Sequence, residues 1–351
     1  SIQSMMSIRK ALHADAQRKG LASDTFVITS LINMYSKCGM IDEARNMFQT
    51  LIRRDVVSWT ALFGAYVEQG CSEEALKCFQ EMQQDGIAIN FVTLACYLKA
   101  CGNLASTTMA YEVHAQVLER GWEMELLVGN ALVDMYAKCG ILEKAQDVIE
   151  ELPIRDIVSW NVIISGYADQ GQGYKALNCF EQMQTEGLFP SVITFISTLK
   201  ACGSVGAIDK GTKLHEEILE KRLLEKNVVL GNGLVDMYAK CGSLEKAQKV
   251  LEGLRIRNVV SWNALIAGHI LQGNSHKALN CFEWMQSEGH IPDMVTFIGV
   301  ISACASLAAL EEGKCIHASL LTNGLESDVQ VGNALIHMYG KCGALDSARS
   351  V

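Results

Sequence analysis

The sequence predicts an all-α protein, a right-handed α-solenoid built from tandem helix-turn-helix repeats. Three observations carry this prediction: two short phrases recur at a fixed long interval, apolar residues between them follow helical spacing, and only 3 of the 351 residues are proline. A single helical hairpin cannot bury both of its faces, so neighbouring hairpins must stack on one another.

The two recurring phrases set the long period. K-C-G returns after 101, 102 and 101 residues, and V-S-W returns after 101 and 102. Because this period exceeds any single supersecondary unit, we expect each period to contain three helical hairpins of about 34 residues. The phrases begin at Lys37, Lys138, Lys240 and Lys341, and at Val57, Val158 and Val260.

Division of the period gives one array over residues 1–351, with units of 31, 35 or 36 residues. The chain begins and ends inside a unit, so we expect it to be a fragment of a longer array. The units are 1–24 (partial), 25–55, 56–90, 91–125, 126–156, 157–191, 192–227, 228–258, 259–293, 294–328 and 329–351 (partial).

Each unit contains two amphipathic helices by its apolar spacing, and a glycine ends several of them. In residues 126–156 the first helix carries Leu132, Met135 and Tyr136, and Gly140 follows it. The second helices repeat one Ala, Phe, Met stripe: Ala75/Phe79/Met82, Ala176/Phe180/Met183 and Ala278/Phe282/Met285, closed by Gly86, Gly187 and Gly289.

Composition excludes several classes of protein. The 13 cysteines include no C-x-x-C pair, so we expect reduced, buried helix residues in a reducing compartment, with no metal and no cofactor. No apolar run approaches the roughly 18 residues that span a bilayer, and residues 1–10 lack the features of a signal peptide.

Polar residues mark one side of each first helix. The fifth residue of a 31-residue unit lies about 200° around the helix from the apolar stripe, and i+4 and i+8 continue that side. These trios are Thr29/Asn33/Lys37, Asn130/Asp134/Lys138, Asn232/Asp236/Lys240 and Asn333/His337/Lys341. The fifth residues of the units that contain V-S-W are Thr60, Asn161 and Asn263. The units that follow these, 91–125, 192–227 and 294–328, are called the middle units, and their fifth residues are Ala95, Ile196 and Ile298.

The net charge of −9 argues against a nucleic-acid ligand, but the charges separate by helix. First helices carry six lysines against four acidic residues, so we expect a mildly positive groove with few phosphate contacts. The groove lysines are Lys37, Lys99, Lys138, Lys200, Lys240 and Lys341, whereas acidic residues such as Glu73, Glu74, Glu81, Glu143, Glu150, Glu151, Glu311 and Glu312 lie in second helices, which should face outward.

Four phrases carry a family resemblance: V-V-S-W-N-A-L-I, E-E-A-L-x-x-F-x-x-M-Q, L-K-A-C-G and V-G-N-A-L-V-D-M-Y-A-K-C-G. With the cycling unit lengths, they resemble the P, L and S motifs of pentatricopeptide repeat (PPR) proteins of the PLS subclass, over essentially the whole chain. The resemblance implies sequence-specific binding of single-stranded RNA in a mitochondrion or chloroplast, most often at a cytidine-to-uridine editing site, with an editing deaminase or accessory editing factors as partners and no membrane.

In that family the fifth and last residues of a unit select the base. Thr or Ser at the fifth favours purines and Asn favours pyrimidines; a final Asp favours G or U, and a final Asn or Ser favours A or C. By this rule the target is 5′-G-A-N-U-C-N-C-U-N-Y-3′, with weak selection by the middle units. The pairs are Thr29 with Asp55, Thr60 with Asn90, Asn130 with Asp156, Asn161 with Ser191, Asn232 with Asn258, Asn263 with Asp293, and Asn333 alone.

The resemblance also implies that apolar second residues hold each base between them. These residues are Phe26, Val57, Leu127, Val158, Val229 and Val260.

Three alternatives stay open. Each fifth-position Asn would also suit a helix N-cap, although the recurrence of Asn or Thr in seven units favours base reading. A tetratricopeptide-like scaffold would grip a peptide, but it calls for clustered Lys and Arg rather than one Asn or Thr per unit. Roles in RNA stabilisation or translation share the binding step.

Two sequence signals resemble catalytic motifs. Gly171-Gln172-Gly173 opens a G-x-G-x-x-A match, but the sister repeat has Gly70-Cys71-Ser72 there, so we interpret it as an interhelical turn. His215 begins an H-x-E match without the P-C-x-x-C that zinc deaminases need, which indicates a packing or surface histidine. We therefore expect no enzyme activity, with any deaminase domain attached elsewhere or supplied in trans.

Overall fold

The computed structural model describes Arg18 and residues 24–225, 227–325 and 328–351. These residues form twenty α-helices and a short 3₁₀ helix over Leu223–Glu225, without any β-strand. The helices are α1 (Thr25–Ser36), α2 (Ile41–Gln49), α3 (Val56–Glu68), α4 (Ser72–Gln84), α5 (Phe91–Asn103), α6 (Thr107–Glu119), α7 (Leu126–Lys138), α8 (Leu142–Glu151), α9 (Ile157–Asp169), α10 (Gly173–Thr185), α11 (Val192–Val205), α12 (Ile208–Glu220), α13 (Val228–Lys240), α14 (Leu244–Gly253), α15 (Val259–Leu271), α16 (Ser275–Ser287), α17 (Met294–Leu307), α18 (Leu310–Thr322), α19 (Val329–Lys341) and α20 (Leu345–Ser350).

The helices form two compact units, Ser1–Gly166 and Tyr167–Val351, and the division falls within α9. In the first unit, α1, α3, α5 and α7 pack in succession, each also against the second helix of its own hairpin. In the second unit, α11, α13, α15, α17 and α19 do the same. This stacking of helical hairpins is the α-solenoid architecture that the sequence predicts. The partial repeat predicted over residues 1–24 lies outside the described residues, apart from Arg18 and Asp24.

Local signals fix where the helices begin and end. Asp55 accepts a hydrogen bond from the Ser58 backbone N–H and so caps α3, and Asn90 caps α5 through the Thr93 N–H. At the other end of a first helix, Cys139 is the C-cap and Gly140 follows with φ of +79°. This helix stop requires a left-handed backbone conformation, which glycine adopts most easily. K-C-G is therefore the C-terminal signal of a first helix.

The predicted stripes form the core. Leu132, Met135 and Tyr136 have no exposed surface, and the Ala, Phe and Met positions of the second helices are buried as well. The tryptophan of V-S-W is also a core residue, since Trp59 packs edge-on against Phe48 with ring centroids 4.6 Å apart. The apolar part of both recurring phrases is therefore explained by packing between hairpins.

The prediction that the cysteines are buried is confirmed only in part. Of the 13 cysteines, six are buried, six are half-buried, among them the four of K-C-G, and Cys315 is exposed. The K-C-G cysteines differ because each lies at or just after the C-cap, at the end of a helix, where packing stops. Burial raises the pKa of the Cys78 and Cys101 thiols to about 12, which makes them poor nucleophiles.

The histidine that begins the H-x-E match has a structural partner. Nδ1 of His215 lies 3.1 Å from the Tyr238 hydroxyl, and the same pairing recurs between His114 and Tyr136 at 2.7 Å. Burial lowers the pKa of both imidazoles, which favours their neutral form. We conclude that this repeated His–Tyr contact is a packing feature of the second helices.

No helix in residues 24–225, 227–325 and 328–351 combines the length and apolar character that crossing a membrane requires.

Candidate nucleic-acid interface

The last residue of a unit is the N-cap of the next first helix. Asp156 accepts hydrogen bonds from the backbone N–H groups of Val158 and Ser159, both at 2.9 Å. Side chains of the equivalent residues make the same kind of bond, so the sequence demands a short polar residue here for structural reasons as well. The equivalent caps are Asp55, Asn90, Ser191, Asn258 and Asp293.

The fifth residue lies within the helix and is not its cap. In α7 the N-cap is Glu125, and Asn130 is the fifth helical residue. The interpretation of the fifth-position Asn as an N-cap is therefore wrong, because the preceding unit supplies that residue. The fifth side chain is half-buried at Thr29, Thr60, Asn130, Asn161 and Asn263, buried at Asn232 and exposed at Asn333.

Asn130 and Asp156 form a direct pair. The Asn130 amide nitrogen Nδ2 donates to Asp156 Oδ1 at 3.2 Å. Between them, the Ser159 hydroxyl donates to Asn130 Oδ1 at 2.5 Å and lies 3.0 Å from Asp156 Oδ1. All four hydrogen bonds to this carboxylate reach Oδ1, so among the described residues Oδ2 has no donor.

The second compact unit, Tyr167–Val351, contains the same arrangement. Asn263 Nδ2 donates to Asp293 Oδ1 at 2.9 Å, and the Thr296 hydroxyl donates to Asn263 Oδ1 at 2.6 Å. The Thr296 hydroxyl also lies 2.9 Å from Asp293 Oδ1. Two pairs that lie in separate triplets of units thus have one geometry.

Hydrogen bonding keeps these two carboxyl groups ionised. Burial acts to raise the pKa of Asp156, but hydrogen bonds from Ser159, Asn130 and Val158 outweigh it and hold the pKa below the ordinary 3.8. The same balance lowers the pKa of Asp293. Each is therefore a carboxylate near neutral pH, and it can only accept hydrogen bonds.

Three other pairs are linked less directly. The Thr93 hydroxyl lies between Thr60 Oγ1, at 2.8 Å, and Asn90 Oδ1, at 3.0 Å. Among the described residues, Thr29 and Asp55 share no direct hydrogen bond, and neither do Asn232 and Asn258.

Asn232 differs from the other fifth-position residues. Its side chain is only 9% exposed, and its Oδ1 is buried without a hydrogen-bond partner in the part of the chain that the structure describes. The Ser261 hydroxyl, which corresponds to that of Ser159, donates instead to the backbone carbonyl of Asn258 at 2.7 Å.

Sequence reasoning missed the hydroxyl at the third position of the following unit. It is Ser or Thr after every unit with a polar fifth residue and is replaced by Val128, Leu230 or Val331 after the middle units. This alternation was the available signal. The hydroxyl residues are all fully or almost fully buried: Ser58, Thr93, Ser159, Thr194, Ser261 and Thr296.

The second residue of the nine units from 25–55 to 294–328 is an exposed apolar side chain, whereas the last unit has Gln330 there. Exposure ranges from 82% at Phe26 to 41% at Leu127, and it is 49–58% at Val57, Val158, Val229 and Val260. The middle units, which the sequence prediction left out, show the same feature at Val92, Ile193 and Val295. An exposed apolar residue at the same position of nine successive units is unusual for a free surface and indicates a ligand contact.

The lysines are less available than the sequence predicts. Lys138 and Lys240 form ion pairs with Asp134 and Asp236 at 2.8 and 2.7 Å, and Lys200 pairs with Asp169 at 2.7 Å. Within the described residues, Lys37, Lys99 and Lys341 form no ion pair. Half of the positive charge that we expected on this side is thus offset locally.

Tandem hairpins with a periodic row of polar and exposed apolar side chains define a helical-repeat binding protein. The sequence pattern of the "PPR repeat family" matches residues 54–103, 155–204 and 257–306, and that of the "PPR repeat" matches 26–56, 130–157 and 232–259. Together these ranges cover well over half of the chain, which therefore belongs to the pentatricopeptide repeat family.

Individual relatives agree with this assignment. Pentatricopeptide repeat-containing protein At1g11290, chloroplastic, of Arabidopsis thaliana is 34% identical over 99% of this chain and 43% of its own length. Pentatricopeptide repeat-containing protein At3g09040, mitochondrial, of the same plant is 33% identical over 95% of this chain and 32% of its own length. The chain thus spans less than half of either relative. Among solved structures, maize PPR10 in complex with an 18-nt psaJ RNA element aligns over 98% of this chain and 62% of that chain, with 18% identity and a TM-score of 0.47.

Proposed function

We propose that this chain binds single-stranded RNA and reads one base at each unit with a polar fifth residue. The observation that carries the proposal is the repeated juxtaposition of a polar pair, such as Asn130 with Asp156, with an exposed apolar second residue such as Val158. A flat base needs both a stacking surface and hydrogen-bonding partners at its edge. The proposed target is 5′-G-A-N-U-C-N-C-U-N-Y-3′.

The Asn–Asp pairs fit uracil. Asp156 offers the free acceptor Oδ2, and Asn130 Nδ2 keeps one N–H beyond the one that it donates to the carboxylate. Uracil presents an N3–H donor flanked by carbonyl acceptors, which complements this pattern. Cytosine places its N3 lone pair against the carboxylate, so we expect a penalty of about 1–3 kcal/mol for cytosine.

The other pairs follow the same chemistry. Asn90 replaces the carboxylate with an amide that can donate to the N1 acceptor of adenine, and the shorter Thr60 leaves room for a purine. In the middle units, buried Ala95 and half-buried Ile196 and Ile298 offer no hydrogen bond to a base. Their exposed second residues still provide stacking, so we infer that these units hold a base without selecting it.

The unit lengths of 31, 35 and 36 residues support assignment to the PLS subclass. We propose that the whole protein specifies a cytidine-to-uridine editing site in a chloroplast or mitochondrial transcript, and that the chain described here binds rather than catalyses. A deaminase and accessory editing factors would then act as its partners.

A titration tests the binding step. The purified chain is titrated into the fluorescently labelled predicted decamer, with the three N positions fixed as one base, and into a scrambled decamer of equal composition. We expect at least about tenfold tighter binding of the predicted sequence, since single mismatches cost about 1–3 kcal/mol. Equal affinities would contradict the base assignments, and no binding of either RNA at low salt would favour a peptide ligand.

Transcript sequencing tests the editing role. In a plant that lacks the protein, we expect loss of conversion at one or a few cytidines downstream of a matching element. Complete editing with altered transcript ends or abundance would instead support a role in RNA stabilisation.

A further inference from the structure

We propose that the buried hydroxyl at the third position of the following unit is a positioning group, which sets the face that a fifth-position Asn offers to the base. The inference rests on the proposed base reading and deepens it. Ser159 acts on Asn130, and Thr296 acts on Asn263.

At these two sites the hydroxyl donates a hydrogen bond to the oxygen of the Asn amide. Ser159 Oγ has one proton, and it donates this proton to Asn130 Oδ1, while the Asn130 amide nitrogen donates to Asp156. A rotated amide would place its oxygen against the Asp156 carboxylate, an acceptor facing an acceptor, and would lose the bond from Ser159 to Asn130 Oδ1. The amide is therefore held in one orientation, and only an N–H remains for the base. That donor matches a uracil carbonyl and not the amino group of cytosine.

Asn232 shows the arrangement without this bond. The Ser261 hydroxyl donates to the backbone carbonyl of Asn258, and Asn232 Oδ1 stays buried and unpartnered among the described residues. A buried acceptor without a donor is costly, and a rotation of this amide, which Ser261 does not hold, brings Oδ1 to a ligand that supplies a donor. The amino group of cytosine supplies it, and this is the base proposed for the Asn232 unit.

The last residue of the unit determines whether the hydroxyl holds the Asn amide, as at Asn130, or does not, as at Asn232. Asp156 accepts the Asn130 amide N–H and thereby turns the amide oxygen toward the serine. With Asn258 in that place, no carboxylate orients the amide. The last residue thus acts on the base directly, through its own acceptor or donor, and indirectly, through the hydroxyl.

The first experiment removes one hydroxyl. Affinities of Ser159→Ala for the decamer with U or C at the fourth base are compared with those of the wild type. We expect the preference for U over C to fall at least about fivefold, as loss of one net hydrogen bond allows. Ser159→Thr, which keeps the hydroxyl, should restore the preference.

Ser261→Ala is the matched control, because Ser261 makes the same capping-box bond to the backbone but none to a fifth residue. We expect a similar change in thermal stability and an unchanged preference at the fourth base. If Ser159→Ala discriminates U from C as well as the wild type and Ser261→Ala do, the positioning role is overturned while base reading stands. If the wild type itself does not discriminate, base reading fails.

The second experiment introduces base selectivity into a middle unit. The middle unit 294–328 already ends in Asp328, which caps α19 through the N–H groups of Gln330 and Val331 as Asp156 caps α9. We expect the double variant Ile298→Asn with Val331→Thr to prefer U at the ninth base by at least about fivefold, and Ile298→Asn alone to prefer it less. Equal preference in the single and double variants would contradict the role of the hydroxyl.

Discussion

The last residue of a unit with a polar fifth residue has two duties at once, since it caps a helix and lies at the edge of a proposed base site. Asn90 and Asn258 accept the same backbone N–H as Asp156 does, at 2.9 and 3.0 Å. Asp, Asn and Ser are all strong N-caps, so base selectivity is able to change at this position without loss of the helix start.

Substitution of Asp156 separates the two duties. We expect Asp156→Asn to move the preference at the fourth base from U to C, with a change in the free energy of unfolding within about 0.5 kcal/mol. Asp156→Ala should lose selectivity and about 1 kcal/mol of stability, because the cap is gone. Urea denaturation and RNA titration measure the two effects, and an Asn variant that still prefers U would contradict the assignment.

The carboxyl of Asp156 also gives a pH dependence. Its folded pKa lies below the ordinary 3.8, so its contribution to stability is present above that value and is lost as the pH falls through the folded pKa. The difference in urea midpoint between the wild type and Asp156→Asn should stay constant from about pH 8 to 5 and shift against the wild type below about pH 3.8. A difference that already changes between pH 8 and 5 would contradict the lowered pKa.

At the scale of the element, helix boundaries were predictable because their signals are local. Each first helix begins directly after its capping residue, and Gly140 stops α7 by its left-handed conformation. The His215 and Gly171 matches were also correctly interpreted as parts of hairpins. The burial of the K-C-G cysteines was not correctly predicted. Periodicity places Cys139 on the apolar stripe, but it does not show where the packing between helices ends.

The G-Q-G turn offers a test at this scale. Gly171 has a φ of +72° with open space beside it, whereas a Cβ on Gly173 would lie 2.6 Å from Val205 Cγ1 and 2.8 Å from the Ala201 carbonyl oxygen. We expect Gly173→Ala to destabilise by about 1–3 kcal/mol through this overlap, and Gly171→Ala by about 1–2 kcal/mol through its backbone. Urea midpoints followed by circular dichroism measure both. Unchanged stability of Gly173→Ala would mean that the second glycine has no packing role.

At the scale of the whole molecule, charge separates between helices as predicted, but much of it is compensated. The acidic residues predicted to face outward, such as Glu143 and Glu150, are exposed. The i,i+4 pairing of Asp134 with Lys138 was visible in the spacing. The pairing of Lys200 with Asp169 joins two hairpins and was not.

This charge pattern predicts a shallow salt dependence. Single-stranded RNA gives a slope of about −0.7 per phosphate contact, so six lysines give about −4 and the three without ion pairs about −2. We expect the slope of log K against log salt to lie between about −2 and −4. Lys37→Ala should reduce its magnitude by about 0.7, and Lys138→Ala by less. A slope steeper than about −6 would require phosphate contacts beyond these lysines.

The sequence predicted which residues form the polar pairs, because the period identifies equivalent positions. It did not predict the third-position hydroxyls, since V-S-W indicated only phase and packing. Whether Ser159 or Ser261 donates to a fifth residue depends on how side chains from two successive units are oriented. That information is absent from the spacing of either unit.

The central claim is that one residue pair reads one base, and Thr60→Asn tests it most directly. The change leaves Asn90 in place and converts a pair proposed for A into the Asn–Asn pair proposed for C. Affinities are measured for decamers with A or C at the second base. The account predicts that preference moves from A to C while the other positions keep theirs; an unchanged preference for A, or a loss of selectivity along the whole decamer, would contradict it.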